Sequence, residues 1–149
     1  MNFFLIACKI IIIFFYLTSN GYSKESEYLK DGVKLFKNKE FKKSKILFEK
    51  DIVFDPKSEK SYLYLAKIFN KDENDSEEEM NLISVLLLNP KNDEAIYMLV
   101  ILKIKQSNYE EAKQLLEEFT LVCRSFCSKK KEMKEKFEKL IPENVKNNN

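Results

Sequence analysis

Histidine and tryptophan are missing from this 149-residue chain, which holds 2 Gly, 3 Pro, 3 Cys and a single arginine, Arg124. Without His it lacks the commonest general base and the commonest zinc ligand. With one Arg, recognition of bases or phosphates by bidentate guanidinium forks is largely closed to it. So little Gly and Pro leaves few turns for a many-stranded sheet and points to helices. Charge of either sign is not in excess: 26 basic and 24 acidic residues give a net +2, too small a field to draw nucleic acid. A Gly-rich phosphate loop, a Ser/His/Asp set and a paired-carboxylate cleft are all absent from the sequence. The expectation is a non-enzymatic chain with no cofactor, no metal and no nucleic-acid partner.

What is present begins with an apolar N-terminus. Residues 3–17 read FFLIACKIIIIFFYL, with Lys9 as the only charge, and a polar stretch, Thr18 to Ser23, follows. Lys9 closes a short n-region, Ile10 to Leu17 form an eight-residue apolar run, and Gly21 and Ser23 fit the −3 and −1 positions of a cleavage site. Residues 1–23 therefore resemble a secretory signal peptide, giving an exported, periplasmic product. The alternative is an uncleaved anchor facing the periplasm. As a helix those fifteen residues span only about 22 Å, against a bilayer core of about 30 Å. Leu5-Ile6-Ala7-Cys8 also resembles a lipobox, but the longest apolar run lies after Cys8.

A self-comparison then finds a period of 34. Pro56 and Pro90 share a context, Phe54-Asp55-Pro56-Lys57 and Leu88-Asn89-Pro90-Lys91. With Pro at position 32 the frames are 25–58, 59–92 and 93–126. Position 4 is Tyr28, Tyr62 and Ile96; position 8 is Gly32, Ala66 and Val100; position 20 is Ser44, Glu78 and Ala112. Position 17 is Phe41, Asp75 and Tyr109, and position 24 is Phe48, Leu82 and Leu116. Helical periodicity predicts helices near 25–38, 41–54, 59–71, 76–88, 93–105 and 109–122. The prolines stop helices, since Pro disfavours helix in the residue before it. Ser76 with Glu79 and Asn108 with Glu111 read as capping boxes. A seventh helix is expected near 128–140, with Ser128 as N-cap and Met133, Phe137, Leu140 and Ile141 as its apolar stripe. Residues 142–149 read as a flexible tail.

This pattern resembles the tetratricopeptide repeat (TPR) family over 25–126. The family wants a large residue at position 4, small ones at 8 and 20, an aromatic at 17, a large apolar at 24 and Pro at 32. Asn108 to Leu116 lies close to its second-helix pattern. The resemblance implies an all-α, right-handed superhelical stack of three helix pairs, closed by a C-terminal capping helix at 128–141. Two carboxylates depart from the pattern: Asp31 and Asp51 stand where apolar residues are expected. A buried unpaired carboxylate is costly, so both are expected to face solvent or to distort the first pair. The acidic run 72–79 replaces a tight turn and reads as a solvated loop that loosens the second pair. It has no Gly for a calcium loop.

The resemblance also implies a function. First helices of such pairs line a concave groove that binds peptides or partner helices through positions 5, 9 and 12. Here these are Leu29, Val33 and Phe36, then Leu63, Lys67 and Asn70, then Tyr97, Ile101 and Ile104. The groove would be apolar with a polar centre. The family's carboxylate-clamp residues are absent: Leu29, Val33, Tyr64 and Met98 stand at those positions. The expected role is an exported scaffold that binds another protein or peptide of the cell envelope, in outer-membrane, secretion or flagellar-motor assembly. The membrane would be touched only through an uncleaved N-terminal segment. The alternative is a self-associating or anchored spacer whose groove is filled by its own last helix. Cys123 and Cys127 bracket the turn before that helix. A disulfide there would close a loop of about five residues for roughly 2 kcal/mol; two free buried thiols, or a redox or metal site, are the other readings.

Overall fold

Seven α-helices and one 3-10 turn follow one another along residues 25–140, the part of the chain that the computed structural model describes. They are α1 Glu27–Lys37, α2 Phe41–Phe54, α3 Glu59–Lys71, α4 Asp75–Leu88, α5 Asp93–Lys105, α6 Tyr109–Val122, the 3-10 turn Cys127–Lys129 and α7 Lys130–Leu140. The six helices of the repeats are those the 34-residue period predicts. The expectations for residues 1–23, for Ile141 and for the 142–149 tail lie outside the described residues.

Local chemistry sets the helix starts. Ser26, Asn74, Asn92 and Asn108 accept from the backbone N–H three residues on, satisfying a donor that the first turn leaves free. Two expected caps are corrected. Ser76 lies inside α4, whose cap is Asn74, bound by Glu77 N–H at 3.3 Å. Asn is as good a cap as Ser, and two residues earlier it lets α4 start at Asp75. Ser128 lies in the 3-10 turn, not ahead of the last helix. At Asn108 the expected pairing forms: its carbonyl oxygen accepts from Glu111 N–H at 3.4 Å and its amide donates to the Glu111 carboxylate at 2.7 Å.

Each first helix ends in the same way. Lys39, Glu73 and Ser107, at repeat position 15, have φ of 63°, 54° and 60°. Their N–H groups reach back to Phe36, Asn70 and Ile104, and the next N–H to Leu35, Phe69 and Lys103. This is a Schellman ending, with a left-handed residue where Gly is usual. A side chain there costs about 1 kcal/mol that Gly avoids. Lys39→Gly and Ser107→Gly should therefore each raise the urea midpoint of unfolding, by roughly 0.5–1 kcal/mol in stability. A drop in midpoint for both would show that the strain is relieved elsewhere.

Three contiguous clusters form the core. Leu29, Phe48, Leu65, Ile68 and Phe69 join the first repeat to the second. Ala66, Leu82, Val85, Ala95, Leu99 and Leu102 join the second to the third. Ile96, Val100, Ile104, Ala112, Leu116 and Phe119 receive Met133 and Phe137 from α7. No pair is self-sufficient; each buries its faces on its neighbour, as stacked repeats must. Small residues permit the close crossings. A Cβ on Gly32 would sit 2.7 Å from the Phe48 ring, while Ser44 donates to the Gly32 carbonyl at 2.8 Å. The last helix packs on α5 and α6, the place a next first helix would take. Its lysines stay outside, whereas Leu140, expected on its apolar stripe, is exposed.

The two expectations about misplaced carboxylates separate. Asp31 is exposed. Asp51 is 1% exposed, and the first pair is not distorted around it. Hydroxyls of Ser58 and Ser61 donate to its Oδ2 at 2.5 Å each, and Ser26 donates to Oδ1. Three donors replace the water a buried carboxylate gives up, and they tie the starts of α1 and α3 to the end of α2.

Candidate partner-binding groove

The first helices α1, α3 and α5 share one side of the stack. Contacts run in order along it: Phe36 of α1 packs edge-on against Tyr64 of α3 at 5.0 Å, Lys67 of α3 meets Glu94 of α5 at 2.9 Å, and Tyr97 of α5 packs on Phe126 of the connection after α6 at 5.7 Å. The stack thus supplies, in sequence, an aromatic pair, an ion pair and a second aromatic pair.

The nine expected groove residues divide on this face. Leu29 and Ile104 are buried core and present little to a partner. Val33 and Phe36 are half-buried against the first cluster, Leu63 against the second, and Tyr97 and Ile101 against the third. Lys67, expected to set polarity at the centre, is neutralised by Glu94 and also lies over the Tyr64 ring, 5.0 Å from its centroid. Asn70 is exposed but spends its amide on both oxygens of Glu78, at 3.1 Å. Tyr64 and Met98 were met only as positions where the carboxylate clamp is absent, and Glu94 and Phe126 were missed; Glu94 lies three residues before a standard position, so a wider window on the first helix would have found it.

The Glu78 pairing explains Asn70. Position 20 is where helices approach, and in the second repeat a glutamate occupies it, 1% exposed. Burial pushes its carboxyl above the usual range, against the pull of the Asn70 amide. Of the neighbouring acidic residues, Asp72 and Glu73 are exposed in the turn as expected, but those at the start of α4 are engaged. Asp75 binds Lys105 at 2.6 Å. Glu79 binds the buried Lys103 at 2.6 Å, and Glu111 holds the same ammonium at 2.9 Å. Burial works to lower the Lys103 value, but the bonds to Glu79 and Glu111 outweigh it and hold the ammonium above its ordinary range. Hydrogen bonds from Lys103, then Gln106, hold Glu79 below its own range. The run expected to loosen the second pair therefore ties α4 to α5 and α6.

At the far end of this face lies the 123–127 connection. Cys123 and Cys127 are joined by a disulfide with a Cα–Cα distance of 5.2 Å. The residues between them point their N–H groups inward: Arg124, Ser125 and Phe126 donate to Asp93 Oδ2 at 2.6, 2.5 and 2.9 Å. Burial acts to raise the Asp93 carboxyl, but these three bonds, Phe126 foremost, prevail and hold it below the usual carboxylate range. Phe126 is thereby set against Tyr97, and Lys129 beyond it pairs with Glu132 at 2.8 Å.

No family model and no curated protein matches the sequence. Solved structures do match. The C-terminal TPR-containing domain of a Plasmodium falciparum protein described as FK506-binding superposes with a TM-score of 0.64 at 18% identity, over 80% of this chain and 87% of that one. A chain of a CopN-Scc3 complex superposes with a TM-score of 0.62 at 19% identity, over 85% of this chain and 84% of that one. The fold is an all-α helical-repeat stack of the tetratricopeptide type.

Proposed function

We propose that the protein is a protein–protein interaction scaffold of the cell envelope, holding a segment of another protein against the face of α1, α3 and α5. The observation that carries this reading is the half-buried row Val33, Tyr64, Lys67, Tyr97 and Ile101, an apolar track with one internally paired charge. Amphipathic helices and extended apolar segments are the partners such a face fits. On this reading the role is non-enzymatic, that of an interaction module. The last helix packs on α5 and α6 at the end of the stack, where its Met133 and Phe137 share a cluster with Tyr97 and Ile101. Partner capture by crosslinking in the native envelope, followed by calorimetry, tests the reading. Aromatic anchors carry more interface energy than rim charges. Tyr97→Ala should therefore weaken binding at least tenfold and Lys129→Ala hardly at all, both with unchanged helicity. The reverse order would move the site to the basic end helix.

Export is the second half of the proposal. The apolar segment before residue 24 supports it, and so does the Cys123–Cys127 disulfide, a bond that persists in oxidising compartments. Mass spectrometry of the native protein should find a chain starting near Lys24. An intact Met1 on a chain released only by detergent would favour the anchored form.

A further inference from the structure

The opposite side of the stack, formed by the second helices α2, α4 and α6, carries a pattern that binding on the first-helix face leaves unexplained. At repeat position 29 stand Val53, Leu87 and Leu121, which are 84%, 79% and 86% exposed. Ile46, Met80 and Ile83 are exposed on the same face. An aliphatic ladder repeated once per unit and left in water is not core, and it is not the scattered exposure that surfaces normally show. The charges around it are graded. Position 18 is Lys42, Ser76 and Glu110; position 26 is Lys50, Ser84 and Glu118. Thus α2 is basic, α4 uncharged and α6 acidic at the same two positions.

We propose that this face pairs with the same face of a second copy of the chain, about a two-fold axis running along α4. That operation lays α2 over α6 of the partner copy and brings each position opposite its own equivalent. Val53 then meets the partner's Leu121, and Leu87 meets its own counterpart on the axis. Lys42 and Lys50 meet the partner's Glu110 and the partner's Glu118, and the serines meet serines. The interface is isologous, the commonest form for a dimer. On the axis α4 offers Met80, Ile83, Ser84 and Leu87, and long Lys and Glu side chains flank it on either side. Position 25 opposes the grading, since Glu49 would face the partner's Glu117. Glu49 already has Lys45 at 3.7 Å. Each of these helices has 14 residues, about 21 Å. Three abreast at about 10 Å give a footprint on the order of 600 Å², close to the ~800 Å² per partner of a standard interface.

Sedimentation velocity on the full chain in mild detergent, from low-micromolar to submillimolar concentration, tests the pairing. A monomer–dimer equilibrium that weakens with salt is expected. Leu87→Asp, at a side chain free of the core, should weaken it at least tenfold. Lys42→Glu with Lys50→Glu gives a chain acidic at both ends, and Glu110→Lys with Glu118→Lys gives one basic at both ends. Each double variant alone should be monomeric, and an equimolar mixture should restore the dimer. A wild type that stays monomeric overturns the proposal, even if it binds lipid vesicles or another protein through this face. So does a dimer indifferent to Leu87→Asp, which would place self-association in the apolar N-terminal segment, and so does a mixture that fails to pair. Binding on the first-helix face is independent of all three results.

Discussion

Replacing Phe48 with Ala should lower stability by about 3–5 kcal/mol, a large part of the roughly 5–15 kcal/mol that holds a domain of this size together. Phe48 is fully buried at position 24 of the first repeat. Its ring stacks on Tyr64 at 4.9 Å with 10° between planes, and its edge lies against Gly32. The truncation therefore opens a cavity where α1, α2 and α3 meet, and it frees Tyr64, which also faces the proposed partner track. Leu116, the equivalent residue of the third repeat, is slightly exposed, and Leu116→Ala should cost about 2–5 kcal/mol. Urea denaturation of both variants decides. If both match wild type within error, position 24 is not the seam between paired helices. The contact with Gly32 adds a second reading. Gly32→Ala alone drives a methyl into the ring and should destabilise, while in a Phe48→Leu background the same methyl meets a smaller side chain. The two changes should be clearly non-additive, as contacting residues are.

The helices and their register were legible because they rest on a period. Turn residues, small crossing residues and large apolar residues recur every 34 positions, and each recurrence supports the others. What the period could not show was the partner of a residue that breaks it. Asp51 reads as a misplaced charge until folding brings Ser26, Ser58 and Ser61 to it from two other helices. Glu78 at a small-residue site reads as a defect until the Asn70 amide, eight positions earlier, is seen across the helix pair. Lys103 follows an unbroken run without charge, residues 95–102, and nothing local marks Glu79 and Glu111 as its partners. In each case the violation was visible in the sequence and its compensation was tertiary. The groove shows the opposite fault. Family positions brought Leu29 and Ile104 into it, although helical spacing alone could not say how deeply each would sit. The left-handed residues at Lys39, Glu73 and Ser107 were open to the period too, but none is Gly, so no residue type flagged them.

Asp93→Ala should cost about 2–4 kcal/mol and act first on the end of the stack. The substitution leaves three N–H donors, those of Arg124, Ser125 and Phe126, without their acceptor, and each orphaned donor costs about 1–3 kcal/mol less whatever water recovers. The disulfide keeps Cys123 and Cys127 joined in the variant, so the loop stays closed while its backbone loses the anchor on α5. Hydrogen exchange should then quicken at 124–126 and along α7 before it quickens in α1 to α4, because stacked units open from an exposed end. The effect has a pH signature. Asp93 is held below the usual carboxylate range in the folded protein, so the folded state binds its proton less readily than the unfolded state does. Its stabilisation is therefore complete above the unfolded value of about 3.9 and is lost as pH falls through the lower folded value. Glu79 and Glu132 are lowered as well and add to the acid slope of the wild type, so the informative quantity is the difference between wild type and variant. That difference should be flat from neutral pH down to about 4 and shrink below it. Asp93→Asn keeps an oxygen acceptor without the charge and should fall between the two at neutral pH, and its gap from Asp93→Ala should not shrink below pH 4. A gap between wild type and Asp93→Ala that persists unchanged into strong acid would mean that the carboxylate charge is not what holds the connection, and the last helix would then rest on Met133 and Phe137 alone.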